Sequence, residues 1–197
     1  MEKFRIENNF SLEDFIQMEK IEHTYFLAEN ITPAKEVLKW YQKNPYTCIA
    51  IRNKENEIVA STNILPLKKE TFDAIYHNQF KEADITEEQI EIYEENKCYY
   101  LYLSAISIKK EYRNNIILFK MLLKAIAEMY EELERKQIEI DAILAEASTI
   151  HGEKICTKML NMKYIERTNH ESDIYYLEGE DTEKTINLIK ELLKKRR

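Results

Sequence analysis

The run CYYLYLSAISI (98–108) constrains the fold more than any other stretch. It is uncharged and rich in aromatic and β-branched residues, so it reads as a strand buried on both faces. A polar turn, KKEYRNN, follows it. Helical periodicity then runs from about Ile116 to Arg135, with Ile117, Met121, Leu122, Ala125, Ile126, Met129 and Leu133 on the apolar side. A second buried strand, DAILAEAS (141–148), comes next. Strand, crossover helix and strand place two strands side by side and parallel.

The flanking segments add antiparallel strands. YTCIAI (46–51), the turn RNKENE and IVASTNIL (58–65) form a hairpin, ended by Pro66. KFRIEN (3–8) reads as a short first strand, and YIERTNHESDIYYLEG (164–179) as two strands around a turn. Ser11 opens a helix, with Asp14 as capping-box acid and Phe10 and Phe15 as a hydrophobic staple. Thr32-Pro33 opens a second, with a cap hydroxyl and a first-turn proline, and Asn44-Pro45 stops it. Residues 150–162 form an amphipathic helix, and Asp181 caps a last one. The expectation is an α/β (α+β) fold: a mixed, mostly antiparallel sheet of about seven strands with helices on both faces.

A chain of 197 residues is one domain that needs neither disulfides nor metal to build a core. We expect the domain to span 1–179, with a polar, acidic insert at 68–97. Residues 180–197 are its appended amphipathic helix, docked through Ile186, Ile189, Leu192 and Leu193 on the domain or on a second subunit. The closing KKRR suits the negative end of a helix dipole. Cys48, Cys98 and Cys156 are widely spaced, and the four histidines lack ligand spacing, so no metal is expected. The first residues carry no apolar signal core and no apolar run reaches spanning length, which points to a cytoplasmic protein without membrane contact. A net charge of −7 argues against nucleic acid and is compatible with a cationic substrate.

Three side chains stand out as catalytic candidates. Glu146 sits between alanines on a strand that should be central, where poor solvation would raise its pKa into the range of a base. The alternative is an exposed strand end or a lysine partner. Tyr102 and Ser104 share one face of the long strand with Tyr100, while Tyr99, Leu101, Leu103 and Ala105 share the other. His151 reads as a surface residue or a proton relay, and Cys156 as packing. In the turn, Arg113, Asn114 and Asn115 can donate to an anion at the helix N-terminus. The bland reading is a surface arginine and a plain turn.

The element order and the segment YLSAISIKKEYRNNIILFKMLLKAI resemble the GNAT acetyltransferase superfamily. Its signature is Gln or Arg, two free positions, Gly, one free position, then Gly or Ala. Here it falls on Arg113, Ile116 and Leu118, and Arg113 alone matches. A second similarity lies in KICTKMLNMKYIE, where Lys163-Tyr164 take the family's Gly-Phe positions and Met159 the place of its acid tyrosine. The resemblance implies acetyl-CoA as cosubstrate, a primary amine of a small molecule or peptide as acceptor, and a possible homodimer. It implies that backbone at Ile106, Ser107 and Ile108 holds the pantetheine arm. It also implies that Arg113, Asn114, Asn115, Ile116, Ile117 and Leu118 hold the pyrophosphate, with bulky Ile116 and Leu118 crowding it. The acidic insert would either attract a cationic acceptor or be a solvated lid. Two readings follow: an N-acetyltransferase, or a catalytically inactive module of the same fold that binds a ligand or a protein.

Overall fold

A computed structural model describes residues 4–194. Lys3 of the expected first strand and Lys195, Arg196 and Arg197 of the basic tail lie outside the described residues. Seven strands form one sheet: β1 (Arg5–Glu7), β2 (Cys48–Arg52), β3 (Ile58–Leu67), β4 (Cys98–Ile108), β5 (Glu139–Ala147), β6 (Lys163–Arg167) and β7 (Asp173–Glu178), in the order β1-β2-β3-β4-β5-β7-β6. The β4–β5 pair is parallel and every other pair antiparallel. Helices α1 (Leu12–Glu22), α2 (Ala34–Lys43) and α3 (Lys69–Tyr76) cover one face. Helices α4 (Ile116–Arg135), α5 (Ile150–Lys154) and α6 (Gly179–Lys194) cover the other. No helix among the described residues is long and apolar enough to cross a membrane.

Alternation along β4 serves both cores. Tyr99, Leu101 and Leu103 pack toward α4, and Tyr102 toward α1 and α2. The start of α1 follows the sequence: the Asp14 carboxylate accepts from the Ser11 amide and hydroxyl at 2.8 and 2.9 Å, and the Phe10 and Phe15 rings lie 5.7 Å apart. Arg52 ties β2 to this helix, reaching Asp14 at 3.0 Å and Glu7 at 2.9 Å.

Several local expectations are corrected. Thr32 does not cap α2. Pro33 takes the cap position, the first amide (Ala34) is satisfied by Glu19 at 3.0 Å, and the Thr32 hydroxyl has no partner among the described residues. Pro66 does not end β3, which runs to Leu67. Asp181 is not a cap, because α6 leaves β7 at Gly179. A Cβ on Gly179 would stand 2.3 Å from the Ile140 carbonyl oxygen, so glycine is what lets the helix depart there. The expected helix at 150–162 is α5 continued by a π-helical turn, Ile155–Met159. Within α4, Ile117 is 58% exposed and Leu118 fully buried, the reverse of the sequence reading. Neither glycine has a positive φ. Asn56, Asn78, Asn96, Gln137, Asn161 and Glu171 occupy the left-handed positions instead.

Two irregularities position the site. Pairing between β4 and β5 runs from Cys98–Glu139 to Leu103–Ala145 and stops there. On its other side, β4 advances three residues against two of β3 between Leu103–Ile64 and Ile106–Thr62. That is a bulge at Ser104–Ala105, which bends the strand. The sheet therefore splits beyond Leu103.

Candidate active site

Two cavities open at the split, one from each face of the sheet. A groove of about 920 Å3 lies between the diverging strands on the α4 and α5 side. Its walls include Leu103, Ile106, Ile108, Phe119, Ile155 and Met159. A smaller cavity of about 80 Å3 lies under α1, α2 and the acidic insert. Phe26, Ser104, Ala105, Glu146 and Ser148 line both, so the two spaces meet at the bulge and at the end of β5. Beyond Leu103 the β5-facing backbone groups of β4 have no strand partner among the described residues.

The meeting point is polar and hydrogen-bonded. Positions 142, 144 and 146 of β5 alternate onto the α1–α2 face, and Glu146 thereby joins Tyr102 and Ser104 there. The Ser172 hydroxyl donates to Glu146 at 2.6 Å, and His170 Nε2 lies 2.9 Å from the same oxygen. Tyr102 donates its hydroxyl proton to Glu82 at 2.9 Å, and Ser104 donates to the other oxygen of Glu82. Burial raises the Glu82 pKa to about 7, with the hydrogen bond from Ser104 opposing and the Glu146 charge adding to the rise. Burial also raises Glu22, at the end of α1, to about 8, reinforced by Glu82 and Glu19. Tyr102 is held well above the ordinary tyrosine value by burial and by the charges of Glu146 and Glu82, so it keeps its proton.

At the other end of the groove, Asn115 caps α4, its side chain accepting from the Ile117 amide at 3.0 Å. The Ile116 and Leu118 amides have no protein acceptor among the described residues and remain first-turn donors. The expected crowding by Leu118 is absent, because its side chain points into the core. Ile116 is 62% exposed and lines the groove. Arg113 also lines it, but its guanidinium stacks on Tyr25 at 4.0 Å and donates to the Tyr25 hydroxyl at 2.8 Å and to Thr24 Oγ1 at 3.0 Å. Tyr25 in turn donates to the Ile108 carbonyl. Arg113 thus pins the end of α1 to the mouth of the groove.

Of the residues singled out in the sequence, Tyr102, Ser104 and Glu146 come together. Ile106, Ile108, Arg113, Asn114, Asn115 and Ile116 line the groove. Ser107 is fully buried facing away from it, and neither the Ile117 nor the Leu118 side chain lines it. His151 lines the groove from α5, and Cys156, buried in the core, lines it as well. Of the acids in the insert, Glu82 alone reaches the smaller cavity. Glu87 instead lies 3.7 Å from Lys39, and Glu94 pairs with Lys97 at 2.8 Å. Glu22, Thr32, Trp40, Asn63 and His170 also line the smaller cavity and were not singled out in the sequence as site residues, and Glu82 stood out only as one acid of the insert. Thr32 carried a signal: a preceding-proline position is extended, and an extended residue can turn its hydroxyl away from the helix.

No family model matches the sequence, and no curated protein is similar to it. Solved structures do match the fold. A putative acetyltransferase from Acinetobacter baylyi superposes with a TM-score of 0.57 at 12% identity, over 92% of this chain and 96% of its own. The NatC complex bound to Gag peptide and CoA gives 0.56 at 10%, over 89% and 98%. The GNAT-like decarboxylase GphF in complex with isobutyryl-CoA gives 0.56 at 12%, over 89% and 98%. The chain has a GNAT-like fold.

Proposed function

We propose that this protein is an acyltransferase that takes an acyl group from a coenzyme A thioester and passes it to a primary amine. One observation carries the reading: two cavities enter from opposite faces of the sheet and meet at Ser104, Ala105, Glu146 and Ser148. A donor in one and an acceptor in the other would be brought together there and nowhere else along the groove. Coenzyme A fits the larger one. The groove is large and apolar at its base, unpaired backbone lines its upper strand, and free amides at the start of α4 suit a phosphate. The thioester form would supply an acyl carbon activated for attack.

The chain's own residues supply the rest. The amine must lose a proton as its nitrogen bonds to the acyl carbon and the carbon–sulfur bond breaks. Glu82, with a pKa of about 7, is matched to accept that proton at neutral pH. Tyr102 and Ser104 hold Glu82 in place, and Ser172 and His170 hold Glu146. Backbone N–H groups of β4 beyond Leu103 are the available donors for the oxyanion. Met159 brings no proton to the leaving sulfur. That gap, with Arg113 already engaged by Thr24 and Tyr25, favours the second reading, a binding module without turnover.

Thermal denaturation with acetyl-CoA tests the first step. At about 100 times Kd the ligand stabilises by about 2.7 kcal/mol, a rise of roughly 5–10 °C for a chain of this size. No shift at millimolar acetyl-CoA refutes the acyl-CoA reading. A shift with no thiol release across a panel of amines assigns the protein to the binding module.

A further inference from the structure

The smaller cavity carries more information than its position. Glu22, Glu82 and Glu146 all line it. Its other ionisable walls are Lys81 and His170; His170 is bonded to Glu146, and Lys81 makes no ion pair with any of the three among the described residues. The Glu22 carboxyl has no hydrogen-bond or ion-pair partner there either. Carboxylates gathered away from water without a cation are costly, and a cation among them removes the cost.

A second observation is independent of charge. Thr32 Oγ1, Trp40 Nε1 and Asn63 Oδ1 are buried polar atoms without a partner among the described residues, and all three residues line this same cavity. Buried polar groups in native proteins are almost always paired. Trp40 Nε1 can only donate, so its partner must carry a lone pair, which an ammonium group lacks. Asn63 Oδ1 can only accept. The complement of this wall is therefore a group that both gives and takes hydrogen bonds. The cavity of about 80 Å3 has room for about five to eight non-hydrogen atoms.

We propose that the cavity is an acceptor subsite selective for a compact hydroxylated amine, an amino alcohol or the amino-alcohol end of a larger molecule, over α- or ω-amino acids and over amines without a hydroxyl. The proposal rests on the acyl-transfer reading for the word acceptor. Its cation sits among Glu22, Glu82 and Glu146, its hydroxyl oxygen accepts from Trp40 Nε1–H, and its O–H donates to Asn63 Oδ1 or Thr32 Oγ1. An amino acid would bring a carboxylate in among three carboxyl groups.

Isothermal titration with four probes of near-equal length tests it: 4-aminobutan-1-ol, butylamine, butane-1,4-diamine and 4-aminobutanoate. Each is titrated into the protein alone and into the protein saturated with CoA. The amino alcohol is expected to bind about tenfold or more tighter than butylamine, as a site built for a hydroxyl should discriminate. The carboxylate probe is expected not to bind. Trp40→Phe should make the amino alcohol and butylamine bind alike; where that variant does not fold, Thr32→Val should narrow the same ratio. A diamine that binds more tightly than the amino alcohol overturns the proposal in favour of a dication. Equal binding of 4-aminobutanoate, or no binding by any probe, also overturns it. CoA titrated alone decides the acyl-transfer reading separately, so a chain that binds CoA and none of the amines loses the subsite and keeps the donor groove.

Discussion

Replacing Glu22 with glutamine removes a carboxyl from the smaller cavity and keeps its shape. Below pH 4.5 the wild-type group is protonated in both the folded and unfolded chain and costs nothing. Between 4.5 and about 8 the unfolded chain ionises while the folded one keeps its proton, because burial and then the charges of Glu82 and Glu19 oppose ionisation. Stability is therefore lost as pH rises through that window and levels off above it. The ceiling on that loss is about 5 kcal/mol. Solvent entering the cavity screens the charge, so about 2–3 kcal/mol is the working figure. At roughly 2–4 °C per kcal/mol, Glu22→Gln should raise Tm by about 5–10 °C at pH 9 and leave it unchanged at pH 4.5. Glu82, raised to about 7, remains in the variant and gives it a weaker slope of the same sign. Scanning calorimetry of both proteins from pH 4.5 to 9 reads the result. A Tm difference that is constant with pH, or a variant less stable at pH 9, refutes the reasoning. The same substitution should weaken binding of 4-aminobutan-1-ol, since stability and function oppose each other at this residue.

Two further perturbations probe the scaffold. Gly179→Ala drives a methyl into the Ile140 and Asp141 carbonyls, 2.3 and 2.6 Å from the new atom, and both are backbone that cannot swing aside. It should destabilise by about 3 kcal/mol or more, seen as a fall in the urea midpoint. Arg52→Met strands Asp14, whose side chain is 10% exposed beside an arginine that is 7% exposed. The cost should be about 3–5 kcal/mol near neutrality. Burial alone would raise Asp14, but hydrogen bonds from Arg52 and Ser11 hold it below its ordinary value. The wild-type advantage is thus present above pH 4 and shrinks as pH falls through the folded value. Denaturant titrations at pH 7 and pH 3 should show the gap closing, and an unchanged gap would count against the pair.

The crossover unit was readable because nothing interrupts it. β4 spans Cys98–Ile108 and α4 spans Ile116–Arg135, the residues where apolar strand and helical period begin and end. Period-two alternation likewise put Tyr102 and Ser104 on one face, and the flanking alanines marked Glu146. Leu118, Leu122, Ala125 and Ile126 share a face, so Leu118 belonged to the core and not to the cradle. The sequence showed Glu82 only as part of the insert's negative charge. It is one acid among many in a polar insert, and only the packing of Ile85 and Ile90 beneath that insert turns it inward. Nothing in the sequence sets Trp40 or Asn63 apart from its neighbours, because what marks them is tertiary: each has a buried polar atom without a partner among the described residues.

The end of β4–β5 pairing at Leu103 and Ala145 has a mechanical consequence. Two strands clamped at one end and parted at the other act as tweezers. Their aperture at Ser104 and Glu146 is governed by the clamped half, from Tyr99 to Leu103 and Ile140 to Ala145, together with the α6 helix that bears on Ile140 through Gly179. The width of the gap between the tips is then a property of core packing several residues away. Volume changes at Leu101 or Ile143 should retune it without touching a single residue of the groove wall.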